Sequence, residues 1–251
     1  MVRSPRRVSA QKRAVAPNPY GIEHHHRDIR GGAARAAVFG VSDGLTTNVS
    51  LILGVAGAHP GPGLVRLAGL AGLIAGAFSM ATGEYVSMRA QGELLERELE
   101  MERIEIARRP ENERRELAGI YRSRGVEPGL ADEMARELMR DPDLALQTHA
   151  REELGIDAGA LGSPWQAAIS SFLAFALGAI VPLIPWFFTR GNTGILLSVG
   201  LGAAAALAIG GLLARFTGRS LVRSALRQLL ISGVAAGVTY LIGRAVGTGP
   251  V

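Results

Sequence analysis

The stretch LVRLAGLAGLIAGAFSMATGEYVSMRAQGELLERELEMERIEIARR, residues 64–109, decides the fold. Residues 64–88 are almost wholly apolar or small, the remainder is dense in glutamate and arginine, and no proline falls between Gly63 and Pro110. An apolar run of about 20 residues matches the roughly 30 Å hydrocarbon core of a bilayer. The whole stretch therefore predicts one uninterrupted helix about 70 Å long, half of it in lipid and half in water.

Working outward, 18 of the 22 Asp and Glu lie between Glu93 and Asp157, and no acid follows Asp157. Apolar runs predict five spans, at 34–58, 64–88, 166–189, 193–216 and 226–246. The expected fold class is an all-α membrane protein with five transmembrane helices and a helical, acidic insert between the second and third. In domain terms this gives a flexible basic N-terminal arm at 1–32 and the first two spans at 33–90. The insert occupies 91–160, and the last three spans 161–251. Inside the insert, helices are expected at 112–124, 130–140 and 143–155 beyond the extension of the second span. Pro110, Pro128 and Pro142 punctuate them.

Arginine sets the expected orientation, because basic residues collect on the cytoplasmic side of membrane proteins. The arm, the insert and the connection bearing Arg215, Arg219, Arg223 and Arg227 are rich in it, while the 59–63 turn has none. The N-terminus and insert are expected in the cytoplasm and the C-terminus on the opposite side. No cleaved leader is expected, so the first span serves as the insertion signal.

Composition excludes several classes. With no cysteine, the chain has no disulfide framework, thiolate metal site, Fe–S ligand or cysteine nucleophile. The formal charge of +5 comes from 26 Arg and a single Lys, mostly beside spans, which speaks for membrane-surface charge and against nucleic acid. No Walker loop argues for ATP-driven transport, and no constellation argues for an enzyme. The sole Glu-x-x-His match, Glu23-His24-His25-His26, lies in the arm rather than on a core helix, where a di-iron site would need it.

Two acids fall inside expected spans, Asp43 and Glu84, and charge at that depth is costly unless it faces a cavity, pore or partner. Glu84 shares a helical stripe with Met80 and Met88, four residues to either side. Carboxylate and thioether together suit Fe²⁺ over Mg²⁺ or Ca²⁺ without separating it from Mn²⁺ or Co²⁺. The competing reading has the methionines packing and Glu84 near the interface, bonded to a neighbour. Asp43 is expected to have no basic residue on its own span to neutralise it.

In the insert, Glu98, Glu102 and Glu105 share one helical face, Glu113 and Glu116 form another pair, and Glu152 and Glu153 follow His149. Such carboxylates can converge on divalent ions. Equally, Glu93–Arg97, Glu105–Arg109 and Glu111–Arg115 have the i,i+4 spacing of a solvated face, and pattern alone leans that way. Gly40 and Gly44, Gly72 and Gly76, and Gly233 and Gly237 recur at the spacing that lets helix backbones meet or helices dimerise.

These residues resemble the vacuolar iron transporter family, in its bacterial branch. The resemblance is carried by Phe39-Gly40-Val41-Ser42-Asp43-Gly44-Leu45-Thr46-Thr47, by Ser79-Met80-Ala81-Thr82-Gly83-Glu84-Tyr85-Val86-Ser87, by Glu152-Glu153-Leu154-Gly155-Ile156, and by Pro182-Leu183-Ile184-Pro185. It implies a homodimer that moves Fe²⁺ out of the cytosol in exchange for protons, along a path lined by the first two spans. Asp43, Met80 and Glu84 fall on that path, with Met88 beside them. Glu102, Glu105, Glu113, Glu116 and Glu153 match the family's metal-binding glutamates, and His149 and Ala150 stand where plant members have methionines. His149 and Glu152 complete the candidate set. The expected partners are a second copy, the lipid bilayer, protons and divalent metal. Fe²⁺ leads, with Mn²⁺, Co²⁺ and Zn²⁺ as alternatives, and no other cofactor is implied. The resemblance further implies a bacterial-type inner membrane. A membrane-anchored metal sensor or store is the reading from a different class.

Overall fold

The computed structural model describes residues 32–153, 155 and 162–247. The expected arm, including His24, His25 and His26, lies outside them. Among the described residues all regular structure is helical. In chain order the helices are α1 (Gly32–Gly57), α2 (Pro62–Arg108), α3 (Pro110–Ser123), α4 (Pro128–Leu138) and α5 (Pro142–Glu152). They continue as α6 (Pro164–Ile180), a 3₁₀ turn (Ile184–Phe187), α7 (Gly191–Thr217) and α8 (Leu221–Gly247).

α2 is the expected long helix, 47 residues without a break. The prolines that punctuate the insert do so by starting helices: Pro62, Pro110, Pro128, Pro142 and Pro164 each stand first in α2 to α6. A first-turn residue needs no intrahelical N–H bond, and the fixed φ of proline suits that position. Side chains supply acceptors there too, Asp141 for the N–H groups of Asp143 and Leu144, and Ser163 for that of Gln166. Gly125 and Gly218 take left-handed φ values of 92° and 65° just past the ends of α3 and α7.

The third expected span does not form as one helix. α6 ends at Ile180 after 17 residues, and the chain turns before the 3₁₀ segment. Pro182 and Pro185 lack the N–H groups that would continue the helix. The carbonyl of Pro182 accepts instead from Ser198 Oγ on α7 at 2.7 Å, and Trp186 Nε1 donates to that same hydroxyl at 2.9 Å. Among the described residues four helices, α1, α2, α7 and α8, are long and apolar enough to cross a membrane, and α6 is a shorter apolar helix.

α1 is central: it packs most extensively on α6 and also touches α2, α7 and α8. Small residues make this possible. A Cβ at Gly40 would stand 2.8 Å from the Ser171 carbonyl oxygen of α6, and Gly72 and Gly76 abut Leu51, Asn48 and Phe175. Two of the three glycine pairs thus sit at helix contacts within the chain, whereas a Cβ at Gly233 or Gly237 would meet nothing within 4 Å among the described residues.

Beyond the apolar bundle, the polar half of α2 receives α5 through Ile106, Ala145 and Leu146, with Leu99 and Met139 packed alongside. α3 and α4 pair through Leu117, Ala118 and Ala135. The surface carboxylates here take partners other than the expected ones: Glu93 bonds Arg89, and Glu111 bonds Arg114.

Candidate metal centre

The polar half of α2 buries Leu95, Glu102 and Ile106, with Leu99 packed on the same core, so Glu102 occupies a core position in an apolar stripe. Glu113 does the same one turn before Leu117 on α3, and His149 follows the buried Ala145 and Leu146 on α5. Three helices therefore point Glu102, Glu113 and His149 into one interior. One potential ligand atom from each lies within 4.8 Å of the others, and all three residues are buried.

Glu102 Oε1 lies 3.9 Å from His149 Nδ1 and has no hydrogen-bond partner among the described residues. The imidazole faces main-chain carbonyls with both nitrogens, Nδ1 towards Ala145 at 3.0 Å and Nε2 towards Glu113 at 3.3 Å. A neutral ring donates from one nitrogen only, so the imidazolium alone satisfies both carbonyls. To ligate a metal, His149 must give up one of these contacts.

Burial pushes Glu102 up to about 7, against the pull of His149, and the negative charges of Glu153, Glu113 and Glu105 add to the rise. Burial also raises Glu113 and Glu153, each helped most by Glu116 and opposed by His149. Glu105, Glu113 and Glu116 share a cleft with Met101 and Asn112. Glu102 and Glu113 are buried while Glu105, Glu116 and Glu153 are exposed, so the buried pair favours protons in the absence of a cation, and a divalent ion would discharge them. The orphaned oxygen of Glu102 and the oxygen–nitrogen donor set fit such an ion.

Glu152 is not brought into this group. Successive helical residues point about 100° apart, and Glu152 turns to the end of α3, where Arg124 holds its carboxylate and donates to its carbonyl at 3.2 Å. Its neighbour Glu153 faces the cluster.

In the apolar bundle, four residues of α1 spaced four apart, Arg35, Phe39, Asp43 and Thr47, are exposed, and the stripe ends at the half-buried Leu51. Thr47 Oγ1 donates to Asp43 Oδ1 at 3.3 Å. On α2, Ser79, Thr82, Gly83 and Ser87 are exposed as well, so both helices leave small or polar faces uncovered. Glu84 is bonded to Arg35 at 2.9 Å. α1 thus does carry a basic residue, two turns from Asp43 and committed to Glu84. Met80 packs on Ala77, Phe175 and Ala179, the packing role in the alternative reading, and Met88 is half-buried.

Over this same architecture, the sequence model of the VIT family matches residues 34–244. The chain belongs to the VIT family. Similar proteins include Vacuolar iron transporter 1 of Oryza sativa subsp. japonica, 34% identical over 230 residues that cover 90% of this chain and 91% of the relative. Vacuolar iron transporter of Acanthamoeba castellanii is 37% identical over 231 residues, covering 89% and 82%. Vacuolar iron transporter 1 of Arabidopsis thaliana is 29% identical over 237 residues, covering 93% and 95%. Membership and the four long apolar helices make this VIT-family chain an integral membrane protein. These matches lend no support to the bacterial branch or the inner membrane expected above.

Two arginines escape sequence reading. Arg124 and Glu152 are 28 residues apart, with no spacing signal to join them. Arg35 was findable, as a charge near the start of an apolar span.

Proposed function

We propose that this VIT-family chain is a divalent-metal transporter, with Fe²⁺ as the leading cargo and Mn²⁺ as the next. It would export metal from the cytosol in exchange for protons, as a homodimer with five spans, α1, α2, α6 with its following turn, α7 and α8. The names of its relatives support iron as cargo. The polar region 91–160 is the cytosolic metal-binding insert, which gathers ions on Glu102, Glu105, Glu113, Glu116 and Glu153, with His149 beside them. Because α2 is continuous, the insert and the path share one rigid helix.

The observation that carries this reading is the exposure of Asp43 in the middle of α1. A carboxylate at that depth does not face lipid. The uncovered stripe of α1, together with the small and polar face of α2, needs a second surface, and a second copy provides one that encloses a path. Within it, metal and proton exclude one another at the same carboxylate, since a bound cation favours the charged form.

The test is Fe²⁺ uptake into proteoliposomes under an imposed pH gradient, with luminal pH followed alongside metal. Proton-coupled uptake that disappears in Asp43→Ala supports the exchanger. Absence of uptake by folded, oriented wild type that still binds metal in the insert favours the sensor or store.

A further inference from the structure

We propose that Arg35 is a resident counter-cation of the transport path: it occupies the Glu84 carboxylate until a metal ion displaces it, and so sets the affinity of the path's mouth. This rests on the transporter reading above.

The position of the pair is the first argument. Glu84 lies 22 residues beyond Pro62 on α2, or about 33 Å along the helix, near the thickness of a hydrocarbon core. The neighbouring Tyr85 lies against Trp165, at the start of α6, with ring centroids 4.8 Å apart. Tyrosine and tryptophan gather at the boundary between lipid and water. Arg35 belongs to the first turn of α1. The pair therefore stands where the bundle meets the insert. Glu102 lies about 27 Å further along α2, and Asp43 about 12 Å deeper along α1. An ion passing from the insert to Asp43 meets this pair first.

Chemistry is the second argument. Arg35 Nη2 lies 2.9 Å from Glu84 Oε1, and the Glu84 side chain is only 20% exposed while that of Arg35 is 53% exposed. A guanidinium has five donors and no lone pair to give a metal, so it cannot join the ion as a ligand. Nor does it leave by losing a proton, because it stays charged in proteins. It must swing away, and its half-exposed side chain has room to do so. A divalent ion outcompetes the single charge for the same oxygen. When the guanidinium returns, it expels the ion onward. Met80 and Met88 flank the carboxylate along α2 but offer no charge.

Removal of the guanidinium therefore tightens binding at the mouth and slows release from it. An exposed or half-exposed ion pair of this kind corresponds to about a fivefold change in affinity. In the proteoliposome assay with Fe²⁺, Arg35→Gln lowers KM about fivefold and lowers kcat as well, while Arg35→Lys stays near wild type. In a Glu84→Gln background, Arg35→Gln leaves KM unchanged. An unaltered or raised KM for Arg35→Gln in folded dimer overturns the proposal, as does the same shift in the Glu84→Gln background.

A second measurement is independent of transport and of the insert. Mn²⁺ titration by electron paramagnetic resonance is made on the full chain carrying Glu102→Gln, Glu105→Gln, Glu113→Gln, Glu116→Gln, Glu153→Gln and His149→Gln, which removes the insert's ligands and leaves the spans to report. Arg35→Gln tightens this remaining binding about fivefold, and Arg35→Lys, which folds if Arg35→Gln does not, tightens it less. Should wild type show no Fe²⁺ uptake, the transporter reading fails; unchanged Mn²⁺ affinity overturns the role of Arg35 itself.

Discussion

Glu102 of α2 and His149 of α5 face one another at 3.9 Å, Oε1 to Nδ1, and that carboxylate oxygen has no hydrogen-bond partner among the described residues. A buried acceptor without a donor is costly to fold around. The arrangement is poised for something that brings positive charge, either a proton or a metal ion.

The first consequence concerns stability and pH. Burial raises Glu102 from 4.5 to about 7, so the folded, metal-free protein binds more protons than the unfolded chain between those values. Stability from this group is fully present below about 4.5 and lost as pH rises through 7, at up to about 1.4 kcal/mol per pH unit. Hydrogen exchange of the α5 amides, corrected for its intrinsic pH dependence, should show protection falling across that window. Glu102→Gln should flatten the profile and leave metal-free α5 better protected at neutral pH. A wild-type profile already flat between about pH 5 and 7 would contradict the assignment.

Metal binding should carry the opposite dependence. A cation on Glu102 expels the proton, so affinity weakens as pH falls below about 7, approaching tenfold per unit for each proton released. Mn²⁺ titrations at several pH values, with released protons followed by an indicator dye, measure both quantities. Glu102→Gln should weaken binding by no less than the about 10–100-fold that loss of an outer-shell partner costs.

The long helix and the short helices after it were legible because their signals are local: an apolar run that turns acidic without a proline, then prolines that begin α3, α4 and α5. The break after α6 was not. Pro182 and Pro185 are visible in the sequence, but the donor that receives the freed carbonyl is Ser198, 16 residues on, and apolar composition masks the turn. The site divides in the same way. Spacing alone treats Glu102 and Glu105 alike, yet Glu102 is buried among Leu95, Leu99 and Ile106. A glutamate in an apolar stripe was the available clue, and the resemblance, rather than the spacing, selected the set. Whether Glu152 or Glu153 faces inward depends on Arg124, which lies far away in the chain.

That difference separates two adjacent glutamates by experiment. Glu152→Gln breaks a partly exposed ion pair with Arg124, so it should cost at most about 1 kcal/mol of stability and leave Mn²⁺ affinity within about twofold. Glu153→Gln removes charge beside Glu102 and Glu113 and should weaken Mn²⁺ about tenfold. Thermal unfolding and the same titration decide it. Equal losses of affinity would mean that Arg124 releases Glu152 when metal arrives.

The glycine pairs give the last prediction, because they differ in what surrounds them. At Gly40 a Cβ would stand 2.8 Å from the Ser171 carbonyl and 3.1 Å from the Phe175 amide nitrogen, main-chain atoms that cannot rotate aside. Gly40→Ala should therefore force α1 from α6 and cost about 1–3 kcal/mol. Gly233 meets nothing within 4 Å, and alanine favours a helix over glycine, so Gly233→Ala should be neutral or stabilising by up to about 1 kcal/mol. Thermal unfolding of the two variants in the same detergent gives the comparison. A loss in Gly233→Ala as large as that in Gly40→Ala would mean that a second copy, rather than lipid, closes the open face of α8, because among the described residues of one chain no atom lies near enough to resist the added methyl group.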